Sequence, residues 1–174
     1  MKVYELRTRI RLPRSRGEVF AFFADAANLQ ALTPPWLHFQ ILTPSPIDMR
    51  PGALIEYRLK LHGIPIRWRT RITVWEPPRR FVDQQLKGPY RLWDHEHTFA
   101  EDPADPIGAT LAADRVRYAV LGGALVNRLL VQKDVERIFT FRHQKLREIF
   151  GGGEEETPPQ VKVVPLNLRP ALEE

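Results

Sequence analysis

The 174-residue chain is one domain's worth of sequence, and its apolar fraction of 43% is enough to build a core. With no cysteine, disulfides, thiolate nucleophiles and cysteine-ligated zinc are excluded. The formal net charge is +5, but residues 151–174 carry five Glu against Lys162 and Arg169, which leaves +8 on residues 1–150. That excess is spread along strand faces without interleaved aromatics, which favours a solvated surface over nucleic-acid binding. Twenty of the 26 basic residues are arginine, and with 16 prolines and two methionines the composition leans toward a thermophile. There is neither an apolar run of about 18 residues nor a charged-then-apolar leader, so the expected location is the cytoplasm.

Residues 3–12 alternate, with Tyr4, Leu6, Thr8, Ile10 and Leu12 on one side and Glu5, Arg7, Arg9 and Arg11 on the other, the pattern of a strand with one wet face. Pro13 ends it. Ser15 with Glu18 forms a capping-box pattern ahead of Val19, Phe20, Phe22 and Phe23, and Asp25 caps a second short helix that Pro34 and Pro35 prevent from continuing. Strands are then expected over 36–42, 53–61, 66–74, 81–86 and 92–100. Turns at His62-Gly63 and at Gly88-Pro89-Tyr90 separate some of them, and a proline-containing loop over 101–108 leads to a seventh strand carrying Ala112, Asp114, Val116, Tyr118 and Val120 on one face. The segment Leu125–Phe150 is the one long helix. Its apolar residues recur at three-and-four spacing, at Leu125, Leu129, Val135, Ile138, Phe139, Leu146, Ile149 and Phe150, between Gly122-Gly123 and Gly151–Gly153. Arg142 stands where that stripe calls for an apolar side chain.

This order, with Glu18–Asp25 (EVFAFFAD), Leu32–Trp36 (LTPPW), Phe81–Tyr90 (FVDQQLKGPY), Trp93–Phe99 (WDHEHTF) and Ile138–His143 (IFTFRH), resembles the START and Bet v 1-like (SRPBCC) superfamily, in its bacterial polyketide cyclase/dehydrase-like branch. The resemblance covers residues 1 to about 150. It implies an α+β helix-grip fold, in which a seven-stranded curved antiparallel sheet wraps around the C-terminal helix and two short helices separate strands one and two. It also implies a cavity between sheet and helix for a hydrophobic small molecule. Residues 151–174, with three Gly, three consecutive Glu and Pro158-Pro159, read as a flexible acidic tail, although Val161–Leu168 is apolar enough to join a sheet edge.

His95 and His97 share a strand face with Trp93 and Phe99, so both imidazoles should enter the cavity. Two histidines can begin a metal site if a third ligand joins them, for which Asp114 is the nearest by pattern; the favoured reading is a hydrogen-bonded polar spot on an apolar wall, without metal or cofactor. Asp114 and Arg142 both face inward, where a lone charge is costly, so a mutual pair is favoured over a clamp for a ligand carboxylate. The expected ligand-binding set is Tyr57, Trp68, Tyr90, His95, His97, Asp114, Tyr118, Phe139 and Arg142. Binding or transport of a lipid- or polyketide-like molecule is the leading reading. The alternative is a cyclase or dehydratase with a histidine general base. A third reading uses the rows Arg7, Arg9, Arg11 and Arg67, Arg69, Arg71 against an anionic membrane surface. No nucleophile elbow or phosphate-cradling glycine loop is present, and nothing in the sequence sets an oligomeric state.

Overall fold

The computed structural model describes residues 2–152 and 154–164. The chain builds β1 (Val3–Leu12), α1 (Arg16–Ala24), short 3-10 turns at Ala26–Leu29 and Pro35–Leu37, then β2 (Gln40–Ile41), β3 (Leu54–Leu61), β4 (Ile64–Glu76), β5 (Arg80–Lys87), β6 (Tyr90–Asp102) and β7 (Asp105–Val120). The C-terminal part is α2 (Gly123–Val126), a π-helical turn over Asn127–Val131, α3 (Gln132–Phe150) and β8 (Glu154–Val164). One sheet of eight strands runs in the order β2-β3-β4-β5-β6-β7-β1-β8, antiparallel at every pairing. It has one strand more than the sequence suggests.

The caps act as their residues dictate. Glu18 N–H donates to Ser15 Oγ while the Glu18 carboxylate accepts from the Ser15 backbone, and Asp25 Oδ1 accepts from Ala27 N–H at 2.9 Å. The strand expected over 36–42 shrinks to Gln40–Ile41. Pro34 and Pro35 set up a 3-10 turn, and His38 at a φ of 45° then turns the chain out of extended geometry. The loop expected over 101–108 is instead a tight hairpin, because β6 and β7 stay paired as far as Asp102 and Asp105.

The long helix is apolar on one side only from Val135 onward: Val135, Phe139, Leu146 and Phe150 are buried, each contributing roughly 1.5–3 kcal/mol by transfer from water. Leu125 and Leu129, expected in the same stripe, are 61% and 57% exposed. The π-helical turn inserts one extra residue, which rotates everything before it by about 100° relative to α3 and takes those leucines off the core side. At the other end Gly151 adopts a φ of 75° and the Gly152 N–H donates to Arg147 O, closing the helix.

The flexible tail expected after residue 150 is, over Glu154–Val164, a strand on the free edge of β1. The pairing slips between Arg7 and Arg9, where Pro158 and Pro159 have no N–H to offer the ladder. Below it, His143 Nε2 lies 2.7 Å from Thr8 Oγ1, and that hydroxyl donates to Thr157 O at 2.9 Å, so a buried relay ties α3, β1 and β8 together. Residues 165–168 of the apolar segment lie outside the described residues. No helix among the described residues is long and apolar enough to cross a membrane.

Candidate functional site

On β6 the alternation of Trp93, His95, His97 and Phe99 turns all four toward α3, and register decides their neighbours. His95 lies opposite Asp83 on β5, and His97 lies opposite Asp114 on β7. Diagonal contacts then complete a square. His95 Nε2 donates to Asp114 Oδ1 at 2.8 Å while its Nδ1 is 3.5 Å from Asp83 Oδ2; His97 Nε2 is 3.0 Å from Asp83 Oδ2 and its Nδ1 is 3.0 Å from Asp114 Oδ1. The rings lie on one another with centroids 3.7 Å apart, and Phe81 stacks on the outer face of His97 at 4.1 Å. From α3, Arg142 brings Nε to 3.5 Å from Asp114 Oδ2, an ion pair without a hydrogen bond. Its guanidinium lies over Phe23, 5.0 Å from the ring centre.

Burial is the largest influence on the two histidines and the two aspartates, and their partners decide where each ends. Burial pulls the pKa of His95 down, His97 adds to this, and the bond to Asp114 offsets only part. Burial pulls His97 the same way, but carboxylates at both of its nitrogens outweigh that and raise it above the ordinary histidine value. Asp114 is driven up by burial, yet Arg142 and the two imidazoles hold it well below the usual carboxylate range, and Asp83 is lowered for the same kind of reason, chiefly by His97. The arrangement is therefore two carboxylates facing the Arg142 guanidinium and two imidazoles, of which His97 takes a proton the more readily and His95 is held toward its neutral form.

Between this cluster, α1, α3 and the inner face of β3 and β4 lies a cavity of about 180 Å³. Of the residues expected to bind ligand, Tyr57, Trp68, Tyr90, His95, His97, Phe139 and Arg142 line it. Asp114 and Tyr118 do not. Asp114 stands behind the imidazoles, and Tyr118 is fully buried against Tyr4, with ring centroids 5.5 Å apart. Thr70 Oγ1 takes a bond from Trp68 Nε1 at 3.1 Å and pairs with Tyr57 OH at 3.2 Å, which orients both aromatic walls. Burial raises the pKa of Tyr57 and Tyr90, so both phenols stay protonated donors at neutral pH.

Much of the wall escapes the sequence reading, Asp83, Phe22 and Phe23 among it. Asp83 shares a strand face with Phe81, a signal that alternation alone could have used. Phe22 and Phe23 come from α1, where a nine-residue helix gives no directional clue to the cavity. One ligand atom from each of Asp83, His95 and His97 lies within 4.8 Å of the others, the described group with the spacing of a metal site.

No protein-family model matches the chain, and no curated protein matches it. Solved structures do. The aromatase/cyclase ZhuI from Streptomyces sp. R1128 superposes with a TM-score of 0.65 at 14% identity, covering 86% of this chain and 94% of that one. A START superfamily protein from Mycobacterium smegmatis gives 0.60 at 14%, covering 84% and 99%, and Ara h 8.0201 gives 0.63 at 12%, covering 85% and 97%. With the curved antiparallel sheet closed over a long C-terminal helix, these likenesses show a START-like helix-grip fold.

Proposed function

We propose that the protein binds a hydrophobic small molecule of lipid- or polyketide-like chemistry between its sheet and α3. The observation that carries this is a cavity whose wall is mainly aromatic and aliphatic, with a charged cluster gathered at Asp83, His95, His97 and Arg142 and further polar side chains at Asp25, Asn28, Thr33 and Thr70. An apolar body with a single oxygen-bearing end fits such a wall. Organic extraction of purified protein followed by mass spectrometry tests it, with fluorescence of Trp68 and Trp93 reporting rebinding. Leu61, half-buried on the cavity wall, offers room for a filling side chain, so Leu61→Trp should weaken rebinding by roughly tenfold or more. A crystal structure with the cavity closed by side chains, together with an extract free of ligand, would remove the reading.

A second reading, a cyclase or dehydratase, is favoured by the neutral His95, whose Nδ1 carries a lone pair once Nε2 donates to Asp114. That nitrogen would serve as the general base, with the Arg142 guanidinium on the same cavity wall able to polarise a carbonyl. Turnover of a poly-β-keto substrate that disappears in His95→Gln while ligand binding persists would establish it.

A further inference from the structure

Every ring nitrogen in the cluster faces a carboxylate: Asp114 Oδ1 meets one nitrogen of each imidazole at 2.8 and 3.0 Å, and Asp83 Oδ2 meets the other at 3.5 and 3.0 Å. When the Asp114 side carries the N–H protons, His97 Nδ1 donates to Asp114 and gives up the 3.4 Å bond that Arg142 Nη2 can otherwise donate to it, and two lone pairs and a carboxylate oxygen converge on the Asp83 side, the orientation that a supporting carboxylate imposes on metal-binding histidines. With both imidazoles neutral, Asp83, Asp114 and Arg142 sum to a net −1 among groups that are buried or, for Asp83, 17% exposed, a charge that either a proton on His97 or a bound cation balances.

We propose that Asp83, His95 and His97 bind a divalent first-row transition metal ion, with Asp114 as the residue that positions both rings and Arg142 as the partner of Asp114. The proposal does not rest on the hydrophobic-ligand reading. Two ligands about 2.1 Å from one ion are themselves about 3.0–3.4 Å apart, close to the 3.0 and 3.5 Å separating Asp83 Oδ2 from the two nitrogens. Two imidazoles and one carboxylate suit zinc, iron or manganese, and three protein ligands leave positions open. All three ligands line the cavity, so the open positions face its interior. An oxygen donor with negative charge, a carboxylate or a phenolate on an otherwise apolar molecule, is the class of ligand that would complete the coordination, because the bound ion turns the cluster's charge from −1 to +1.

The test uses full-length protein stripped with a chelator and titrated with Co2+, read by visible absorption, then with Zn2+ in competition. One saturable ion per chain is expected. Asp114→Asn should weaken it roughly 10–100-fold and Asp83→Ala by more than that. His62→Ala, which removes the exposed His62–Asp134 pair, should leave it unchanged. Circular dichroism and melting establish that each variant is folded, and anomalous diffraction from Zn2+-soaked wild-type crystals, with a peak among the three ligands, answers without any variant. Folded wild type that takes up no stoichiometric ion, binding unmoved by Asp83→Ala, or a peak elsewhere overturns the site.

Discussion

Arg142 sits inside the apolar side of α3 because Asp114 holds a charge for it across the core, and both side chains are about 7% exposed. Removing one partner strands the other without solvent. Arg142→Leu should therefore destabilise by about 3 kcal/mol, at the low end for a broken buried pair because both imidazoles still serve Asp114. Adding Asp114→Asn should recover part of that loss, and a double-mutant cycle of thermal melts measures the coupling. Strict additivity would mean that the 3.5 Å contact carries no energy. This pair was legible from alternation and helical phase alone, as were both histidines. Asp83 could have been placed on the inner face by its alternation with Phe81, but its role there depends on the register that sets it beside His95.

The elements differ in how much of them periodicity could show. Strand alternation survives in β1 and through the middle of β3 and β4, from Ile55 to Leu59 and from Ile66 to Ile72, and is lost where the register shifts between Ile72 and Val74 and Thr73, Val74 and Trp75 are all half-buried. The helix stripe fails at Leu125 and Leu129 because a π-turn changes the phase, and no residue type announces such a turn. β8 failed for another reason: its composition is that of a linker, and what orders it is the unpaired edge of β1. Cutting the chain after Gly152 re-exposes that edge, so the shortened protein should self-associate, visible as earlier elution in size-exclusion chromatography. Elution as wild type, with an unchanged melt, would show that β8 protects nothing. His143→Ala breaks the relay to Thr8 while leaving β8 in place, and should cost about 1–3 kcal/mol in urea unfolding.

At the scale of the molecule, the basic rows do not merge into one face. β4 and β1 are separated by β5, β6 and β7, and Arg7, Arg69 and Arg11 are paired with Glu5, Glu56 and Asp102. A positive chain held by such pairs has a defined weakness, because acid discharges the carboxylates and leaves only repulsion. Asp102 shows the sign. Its carboxylate accepts from Ala104 N–H at 2.9 Å and from Arg11 Nε at 2.6 Å, in that order of influence, and both contacts hold its pKa below the ordinary 3.8. A depressed folded value means that the unfolded chain binds the proton first, so the stabilisation is present above 3.8 and is lost as pH falls through the folded value. Asp102→Asn should therefore melt below wild type at pH 7, and the gap should close at a pH well under 3.8. The comparison is best made at low ionic strength, since Arg11 is partly exposed and salt screens its contribution. A gap of equal size at both pH values would assign the loss to the neutral turn geometry around Ala104 rather than to the charge on Asp102.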